Sequence, residues 1–326
     1  MTILILLILF AALGGFYLYV TKVEGRSFQS KLIEFLLRFG NKKYFTNAEK
    51  FVGFMEQKRI ENLEPYQLPE KTRKKFNIAR ETHDGMDCYF LTGGAEPGRR
   101  QILYLHGGAY LNQPVNWHWN FLHDLSQKLD VTITVPIYPK APHQHYHESF
   151  ERVLPLYENL LTRTSPEAIT IMGDSAGGGF GLALAQVALE KGIPQPGNII
   201  LISPWLDLTL SNPEVPEFEK VDPMIARYGL VEIGKLYAGK DDPSHYMLSP
   251  INGEIKGLGQ ITIVTGTHDL LNPEARSFRS LAEEQGVAIN YFEYPKMNHC
   301  FPLFPIPEAK EAVERMLEII MKDGTR

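Results

Sequence analysis

The sequence contains only two cysteines, Cys88 and Cys300, and they form no CxxC pair. This count excludes a disulfide-stabilised secreted module and a cysteine-rich zinc site. An excess of basic residues is also missing, since 33 Lys and Arg stand against 38 Asp and Glu, for a net charge of −5. Nucleic acid is therefore not an expected partner. Repeats, low-complexity tracts and a G-x-x-x-x-G-K-[ST] phosphate loop are absent too.

Charged side chains are missing from residues 1–21, and Lys22 and Arg26 follow at once. A helix of about 20 apolar residues spans about 30 Å, the thickness of a bilayer's hydrocarbon core. We interpret residues 1–21 as an N-terminal single transmembrane helix that anchors the protein to the membrane. A cleaved signal peptide and a buried core helix are the alternatives. The basic residues after the span favour a cytosolic position for the rest of the chain.

Short apolar runs alternate with longer helical stretches through most of the remaining chain. This alternation predicts an α/β fold with a mostly parallel central sheet and helices on both faces. Residues 27–59 have the spacing of two amphipathic helices, and the alternation stops between Pro204 and Pro250, which indicates an insertion over one end of the sheet. The predicted strands are residues 102–105, 131–137, 169–172, 199–202, 261–264 and 288–294.

A G-x-S-x-G motif runs from Gly173 to Gly177, between the predicted strand 169–172 and a helix-forming segment. In that setting the motif is typical of a nucleophile elbow, in which a tight turn exposes the serine hydroxyl. We therefore predict Ser175 as the nucleophile. The N–H of Ala176, at the start of the following helix, would favour negative charge on a substrate oxygen.

The segment His106-Gly107-Gly108-Ala109-Tyr110 directly follows the first predicted strand. Consecutive glycines let the backbone approach a substrate closely. The N–H groups of Gly107 and Gly108, with that of Ala176, are the predicted oxyanion hole. His106 precedes Ser175, whereas the order in this type of enzyme is Ser, acid, His, so a structural role is expected for it.

Asp269 and His299 each follow a predicted strand, where the active-site groups of open α/β sheets gather. We predict His299 as the base that takes the Ser175 proton, and Asp269 as the acid that orients it. Asp207, Asp222 and Glu274 are rival acids, and His268 is the rival base.

These motifs together resemble the bacterial hormone-sensitive-lipase family of esterases, which includes the arylacetamide deacetylases. The resemblance covers roughly residues 80–305. It extends to Tyr138-Pro-Lys140-Ala-Pro142, which is similar to Y-x-L-A-P, and to Ser203-Pro-Trp-Leu-Asp207, which is similar to S-P-x-x-D. Ala109 stands where the family usually has a third glycine, but alanine keeps the N–H group.

The resemblance implies an α/β-hydrolase fold with a helical cap. The expected division is residues 1–21 as the anchor, 22–80 as cap helices and connector, 81–204 as the first part of the core, 205–250 as the cap insertion, and 251–326 as the second part.

The expected activity is that of a serine carboxylesterase or lipase-like hydrolase on short- to medium-chain uncharged esters, through an acyl-enzyme intermediate. No cofactor and no metal are expected, although His143, His145 and His147 alternate along the chain. Two alternatives remain open. One is an amide-cleaving deacetylase or peptidase on the same triad, and the other is a catalytically silent ligand-binding protein. The sequence does not indicate an oligomeric state.

Overall fold

A computed structural model of the chain describes residues 2–94 and 100–322, and within them a single β-sheet has eight strands. The strands are β1 (Ala79–His83), β2 (Met86–Thr92), β3 (Gln101–Leu105), β4 (Thr132–Pro136), β5 (Ile169–Asp174), β6 (Asn198–Ile202), β7 (Gln260–His268) and β8 (Asn290–Asn298). Their order across the sheet is β1-β2-β4-β3-β5-β6-β7-β8. Among these strands the β1–β2 and β2–β4 pairs are antiparallel and the other five pairs are parallel, so the predicted mostly parallel sheet is confirmed.

Three pieces of the predicted divisions lie outside the described residues. They are residue 1 of the anchor, residues 95–99 of the first core part and residues 323–326 of the second.

Helices cover both faces of this sheet, because alternate strand residues point to opposite sides. In β3, Leu103 and Leu105 belong to one hydrophobic cluster, and Ile102 and Tyr104 belong to the other. The helices of the described chain are α1 (Thr2–Leu18), α2 (Phe28–Leu37), α3 (Ala48–Glu61), α4 (Glu70–Phe76), α5 (Asn116–Leu129), α6 (Tyr146–Leu161), α7 (Ala176–Glu190), α8 (Val215–Val221), α9 (Arg227–Ala238), α10 (Asn272–Glu284) and α11 (Pro307–Lys322). Residues of α5 and α11 pack on one face, and residues of α6, α7 and α10 pack on the other.

The parallel strands place the predicted site residues at one edge of the sheet. Ser175 directly follows β5, Asp269 directly follows β7, and His299 directly follows β8. The glycine pair that begins at Gly107 lies just beyond β3, which pairs with β5. Because these strands run in the same direction, their carboxyl ends bring residues far apart in sequence to one place.

The N-terminal helix differs from its prediction. Helix α1 has 17 residues, and the backbone continues from it into a π-helical turn, Tyr19–Val23. At 1.5 Å per residue such a helix is about 26 Å long, against about 30 Å for a hydrocarbon core. Within the described residues, no helix combines the length and the apolar character that crossing a membrane requires. The predicted transmembrane helix, and the membrane-anchored localisation and cytosolic side inferred from it, are therefore wrong.

The two segments predicted as a cap contact each other. The Lys42 Nζ donates to the carbonyl of Glu219 at 2.6 Å and to that of Asp222 at 2.5 Å. The rings of Phe51, in α3, and Tyr228, in α9, meet edge to face with centroids 5.9 Å apart. The N-terminal helices and the segment around α8 and α9 thus form one layer.

Candidate active site

Ser175 lies in a strained turn between β5 and α7. Its φ of 54° and ψ of −123° place the backbone in a region that side chains other than glycine rarely adopt. A Cβ atom at Gly173 would collide with the backbone of Gly177, and one at Gly177 would collide with the carbonyl of Leu105. Both glycines of the motif are therefore required by the close approach of strand and helix.

Backbone hydrogen bonds hold this turn in place. The N–H of Ser175 donates to the carbonyl of Ile202, at the end of β6, at 2.9 Å. The carbonyl of Ser175 accepts from the N–H of Trp205 at 2.9 Å. These bonds fix the serine to the neighbouring strand and to the segment that leaves it, so that the strain is maintained by its surroundings.

Ser175, His299 and Asp269 form a continuous hydrogen-bonded chain. The Ser175 Oγ donates to the His299 Nε2 at 2.9 Å, and the His299 Nδ1 donates to the Asp269 Oδ1 at 3.0 Å. The backbone N–H of Leu271 also donates to Asp269 Oδ1, at 2.9 Å. Asp269 is fully buried and Ser175 is 8% exposed, so the chain runs from the protein interior to the accessible hydroxyl. A hydroxyl, an imidazole and a buried carboxylate in this order can generate a nucleophile.

Two opposing influences act on the pKa of His299. Burial disfavours the charged imidazolium and lowers the pKa, whereas the charge and hydrogen bond of Asp269 raise it. The attraction to the carboxylate, with a smaller contribution from Cys300, holds the pKa of His299 well above its ordinary value. Asp269 thus stabilises the imidazolium that forms when His299 takes a proton.

Within the described residues, none of the rival acids forms a hydrogen bond with His299. Asp222 accepts the N–H groups of Met224, Ile225 and Leu270, and burial together with the charge of Asp269 raises its pKa to about 6. Asp207 accepts the hydroxyls of Thr209 and Ser211. Glu274 is buried, and burial raises its pKa to about 8.

The other histidines bind other groups. The His268 Nδ1 lies 3.3 Å from the Glu34 carboxylate, and the His106 Nδ1 donates to the carbonyl of Gly107 at 2.7 Å. The ring of His106 stacks on that of Tyr138, with centroids 4.6 Å apart. The three alternating histidines bind separate partners: His143 the carbonyl of Arg59, His145 the carbonyl of Leu236, and His147 the carboxylate of Asp241.

The predicted donor Gly107 does not face the substrate side. Its N–H donates to the Asp174 Oδ1 at 2.8 Å, so the side chain that precedes Ser175 already binds it. By contrast, the N–H groups of Gly108, Ala109 and Ala176 have no partner within the described residues. Gly108 and Ala109 line the cleft that contains Ser175. Ala109, with φ 57°, therefore replaces Gly107 among the N–H groups available to a ligand.

Asp174, which the sequence reasoning did not single out, organises this loop. Its buried carboxylate accepts from the Tyr104 hydroxyl at 2.6 Å and lies 3.3 Å from the His118 Nε2. Burial acts to raise the pKa of Asp174, but His118, Tyr104 and the Gly107 N–H lower it to about 2. The Cys300 thiol lies 3.6 Å away, and burial raises its pKa to about 12, so it stays protonated. The only feature of the sequence that could have indicated this role is the position of Asp174 inside the G-x-S-x-G motif.

Ser175 and His299 open into a cleft of about 550 Å³. Residues of both predicted cap segments border it, including Phe45 and Phe54 from one and Met224, Ile225 and Leu230 from the other. Leu303 and Phe304 contribute from the segment after β8. The walls of the cleft are thus largely apolar near a polar hydrogen-bonded chain, as is usual for small-molecule sites.

Comparison with known proteins identifies the family of the chain. A family model described as the alpha/beta hydrolase fold matches residues 102–303. An esterase of Acinetobacter venetianus is 30% identical, over 67% of this chain and 73% of its own. An acetyl-hydrolase of Streptomyces hygroscopicus is 28% identical, over 66% and 73%. The crystal structure of an esterase from the bacterial hormone-sensitive lipase family superposes with a TM-score of 0.72 at 23% identity, covering 85% of this chain and 99% of that one.

We expect the substitution Asp174→Asn to lower the free energy of unfolding at pH 7 by about 2 kcal/mol, because a carboxylate stabilised by the fold is lost. The pKa of Asp174 in the folded protein, about 2, lies below the ordinary value of 3.8. Its contribution is therefore present above pH 3.8 and declines as the pH falls toward 2. Urea denaturation should show the difference from wild type shrinking by about half at pH 3.

The control for this prediction is Asp124→Asn, at an exposed position on α5. Its effect should stay within about 0.5 kcal/mol at both pH values. An Asp174→Asn difference that is the same at pH 7 and pH 3 would contradict the assignment of the carboxylate as the stabilising form.

Proposed function

Because the chain belongs to the alpha/beta-hydrolase-fold family and is a hormone-sensitive-lipase-like esterase, we propose that it cleaves short- to medium-chain uncharged carboxylic esters with Ser175, His299 and Asp269 as its triad. The observation that carries this proposal is the hydrogen-bonded chain at 2.9 and 3.0 Å, with its hydroxyl at the cleft.

Acylation begins when the Ser175 Oγ attacks the ester carbonyl carbon while the His299 Nε2 takes the hydroxyl proton. The carbonyl oxygen becomes an oxyanion in the tetrahedral intermediate. As this intermediate collapses, the bond to the alcohol oxygen breaks, and His299 returns the proton to the leaving alcohol. Asp269 stays ionised, orients the imidazole and stabilises its positive form. Water then repeats the sequence on the acyl-enzyme, which releases the acid and regenerates Ser175.

Three backbone N–H groups are suited to bind the oxyanion. Those of Gly108, Ala109 and Ala176 have no partner within the described chain, and Ala176 is the first residue of α7. The positive end of the helix dipole supports negative charge at this point. Gly107 instead donates its N–H to Asp174, and this hydrogen bond fixes the position of the loop between β3 and Ala109. Losing one such donor typically slows catalysis by roughly 10²–10³.

The cleft and its border suggest the size and polarity of the acyl group. A volume of about 550 Å³ suits a small or medium ligand rather than a full triglyceride. Residues 22–80 and 205–250 act in this proposal as the cap, with Phe45, Phe54 and Leu230 on the acyl side. A relative named an acetyl-hydrolase supports a short acyl chain.

A series of p-nitrophenyl esters from acetyl to palmitoyl tests the proposal on the full chain. We expect kcat/KM to be highest for short and medium acyl chains. Ser175→Ala should reduce kcat by about 10⁶, since nucleophile and base act as a unit. Ser280→Ala, at an exposed position on α10, is the matched control and should behave as wild type. Activity that survives in Ser175→Ala, or that peaks at palmitoyl, would refute the proposal.

The pH dependence of kcat/KM for p-nitrophenyl butyrate should report His299. Only the neutral imidazole accepts the serine proton, so activity rises as the pH increases through the pKa of His299. Because Asp269 raises this pKa, the midpoint should lie above the ordinary value of 6.5. Asp269→Asn should move the midpoint to lower pH and reduce kcat by about 10⁴. A midpoint that is unchanged in this variant would show that Asp269 is not the partner of His299.

A further inference from the structure

A second cavity, of about 280 Å³, adjoins the catalytic cleft. Its walls come from the connector after α3, the start of β2, the segment after β4 and the first half of α6. Asn62, Tyr66 and Gln113 line both this cavity and the catalytic cleft. The Asn62 side chain fixes this shared wall, because its Nδ2 donates to the carbonyls of Leu111 and Ala141 at 2.8 and 3.0 Å. We call this second cavity the Lys140 cavity.

Lys140, which lines this cavity, is an unpaired buried amine. It is only 8% exposed, although a buried lysine normally has a carboxylate partner. Its Nζ donates to the carbonyl of Tyr138 at 3.0 Å and lies 5.4 Å from the centre of the Tyr138 ring. Among the residues that the structure describes, no carboxylate forms an ion pair with it. Burial lowers its pKa to about 7.

The other charges around the cavity leave this amine uncompensated. Asp87, which also lines the cavity, is bound by Arg80 at 2.8 Å. Arg152 donates to the backbone carbonyl of Asp84 and has no acidic partner in the described chain. Glu64 is exposed to solvent, which screens its charge. The cavity therefore has two basic side chains, the buried Lys140 and the solvent-exposed Arg152, that retain unused N–H donors.

We propose that Lys140 and Arg152 form an anion-binding subsite beside the catalytic cleft, for a carboxylate or phosphate group of a small molecule. A bound anion supplies the countercharge that the fold does not provide, and its oxygens accept hydrogen bonds from the free N–H groups of Lys140. The function served rests on the proposed esterase activity. An acidic group on the alcohol part of an ester would reach this subsite past the shared wall, while the acyl part stays uncharged in the apolar cleft.

The alcohol side is favoured by the polarity of the residues that line the cleft. The residues proposed for the acyl group, Phe45, Phe54 and Leu230, are apolar, whereas the wall shared with the Lys140 cavity bears polar groups, namely the carboxamides of Asn62 and Gln113 and the solvent-exposed carboxylate of Glu64. An acidic alcohol extends the uncharged substrates of the proposed function to one further class. A free anion in the same cavity has the same chemistry, so an experiment must separate these two sources.

Thermal unfolding with sodium sulfate at constant ionic strength tests the subsite directly. Sulfate keeps its charge across neutral pH and raises the midpoint of many proteins by general exclusion. Lys140→Leu installs the leucine of the Y-x-L-A-P pattern, and Lys240→Leu, at an exposed lysine, is the matched control. We expect a concentration-dependent rise in wild type and Lys240→Leu that is clearly larger than in Lys140→Leu. Arg152→Gln should show an intermediate rise.

Esters with a charged or neutral alcohol part identify the source of the anion. The probes are 3- and 4-acetoxybenzoate, each compared with the corresponding acetoxybenzamide. We expect Lys140→Leu to lower kcat/KM for an acetoxybenzoate by roughly tenfold or more, as for the loss of a charged hydrogen bond. The acetoxybenzamides should change by less than twofold.

A sulfate effect lost in Lys140→Leu together with a lost preference for the benzoates supports the subsite and assigns it to substrate. A lost sulfate effect without any benzoate preference supports the subsite for a free anion. Equal sulfate effects in wild type and Lys140→Leu would overturn the proposal. Failure to hydrolyse any ester would count against the proposed function alone, because the sulfate measurement does not require catalysis.

Discussion

The positive φ of Ser175 depends on how closely β5, α7 and the end of β3 approach each other. Gly177 passes against the carbonyl of Leu105, and Gly173 passes against the backbone of Gly177, so neither position has room for a side chain. The hydrogen bonds from Ser175 to Ile202 and from Trp205 to Ser175 hold the turn against its strain. Everything else at the site is arranged around a serine hydroxyl that this turn keeps in one place.

Asp174 connects that turn to the loop after β3. One buried carboxylate binds the Gly107 N–H, the Tyr104 hydroxyl and His118, and it therefore couples the strand that ends before Ser175 to the backbone that carries Gly108 and Ala109. Donors that are fixed before substrate arrives need no reorganisation when charge develops. The negative charge of Asp174, next to the proposed nucleophile, is tolerated because hydrogen-bond donors surround it.

Buried charge is treated differently at three places in this protein. Asp174 accepts hydrogen bonds from several donors, and Asp269 accepts one from His299. Lys140, by contrast, has one neutral acceptor, the carbonyl of Tyr138. The first arrangement stabilises the charged form of Asp174, and the second stabilises the charged form of His299. The third leaves an amine without a countercharge, and burial therefore disfavours its charged form. Lys140 thus differs from the other two groups in having no charged partner within the described chain.

The local sequence pattern was sufficient to predict those strands and turns that depend only on residues close together in the chain. The β-branched and aliphatic runs at β3 to β7 and the G-x-S-x-G motif predicted the parallel sheet and the position of Ser175, because strand periodicity and a glycine-limited turn are local properties. The strand pair β1–β2 was not predicted, since Ala79–His83 is largely exposed and has no apolar alternation. The apolar composition of residues 1–21 likewise suggested a membrane span. The α-helix ends at Leu18, however, where the backbone changes to a π-helical turn.

Tertiary structure alone decided which groups meet. Asp269 and His299 were placed at strand ends by sequence, but their choice over Asp222, Glu274 and His268 depends on distances set by β7 and β8. The same holds for the N–H of Gly107, which the sequence placed in the oxyanion hole and the fold directs to Asp174. His118 and Tyr104 contact that carboxylate from other elements, and no local pattern marks them. A sequence specifies strands, helices and turns through near neighbours, whereas the partner of a buried charge is chosen by packing between residues far apart in the chain.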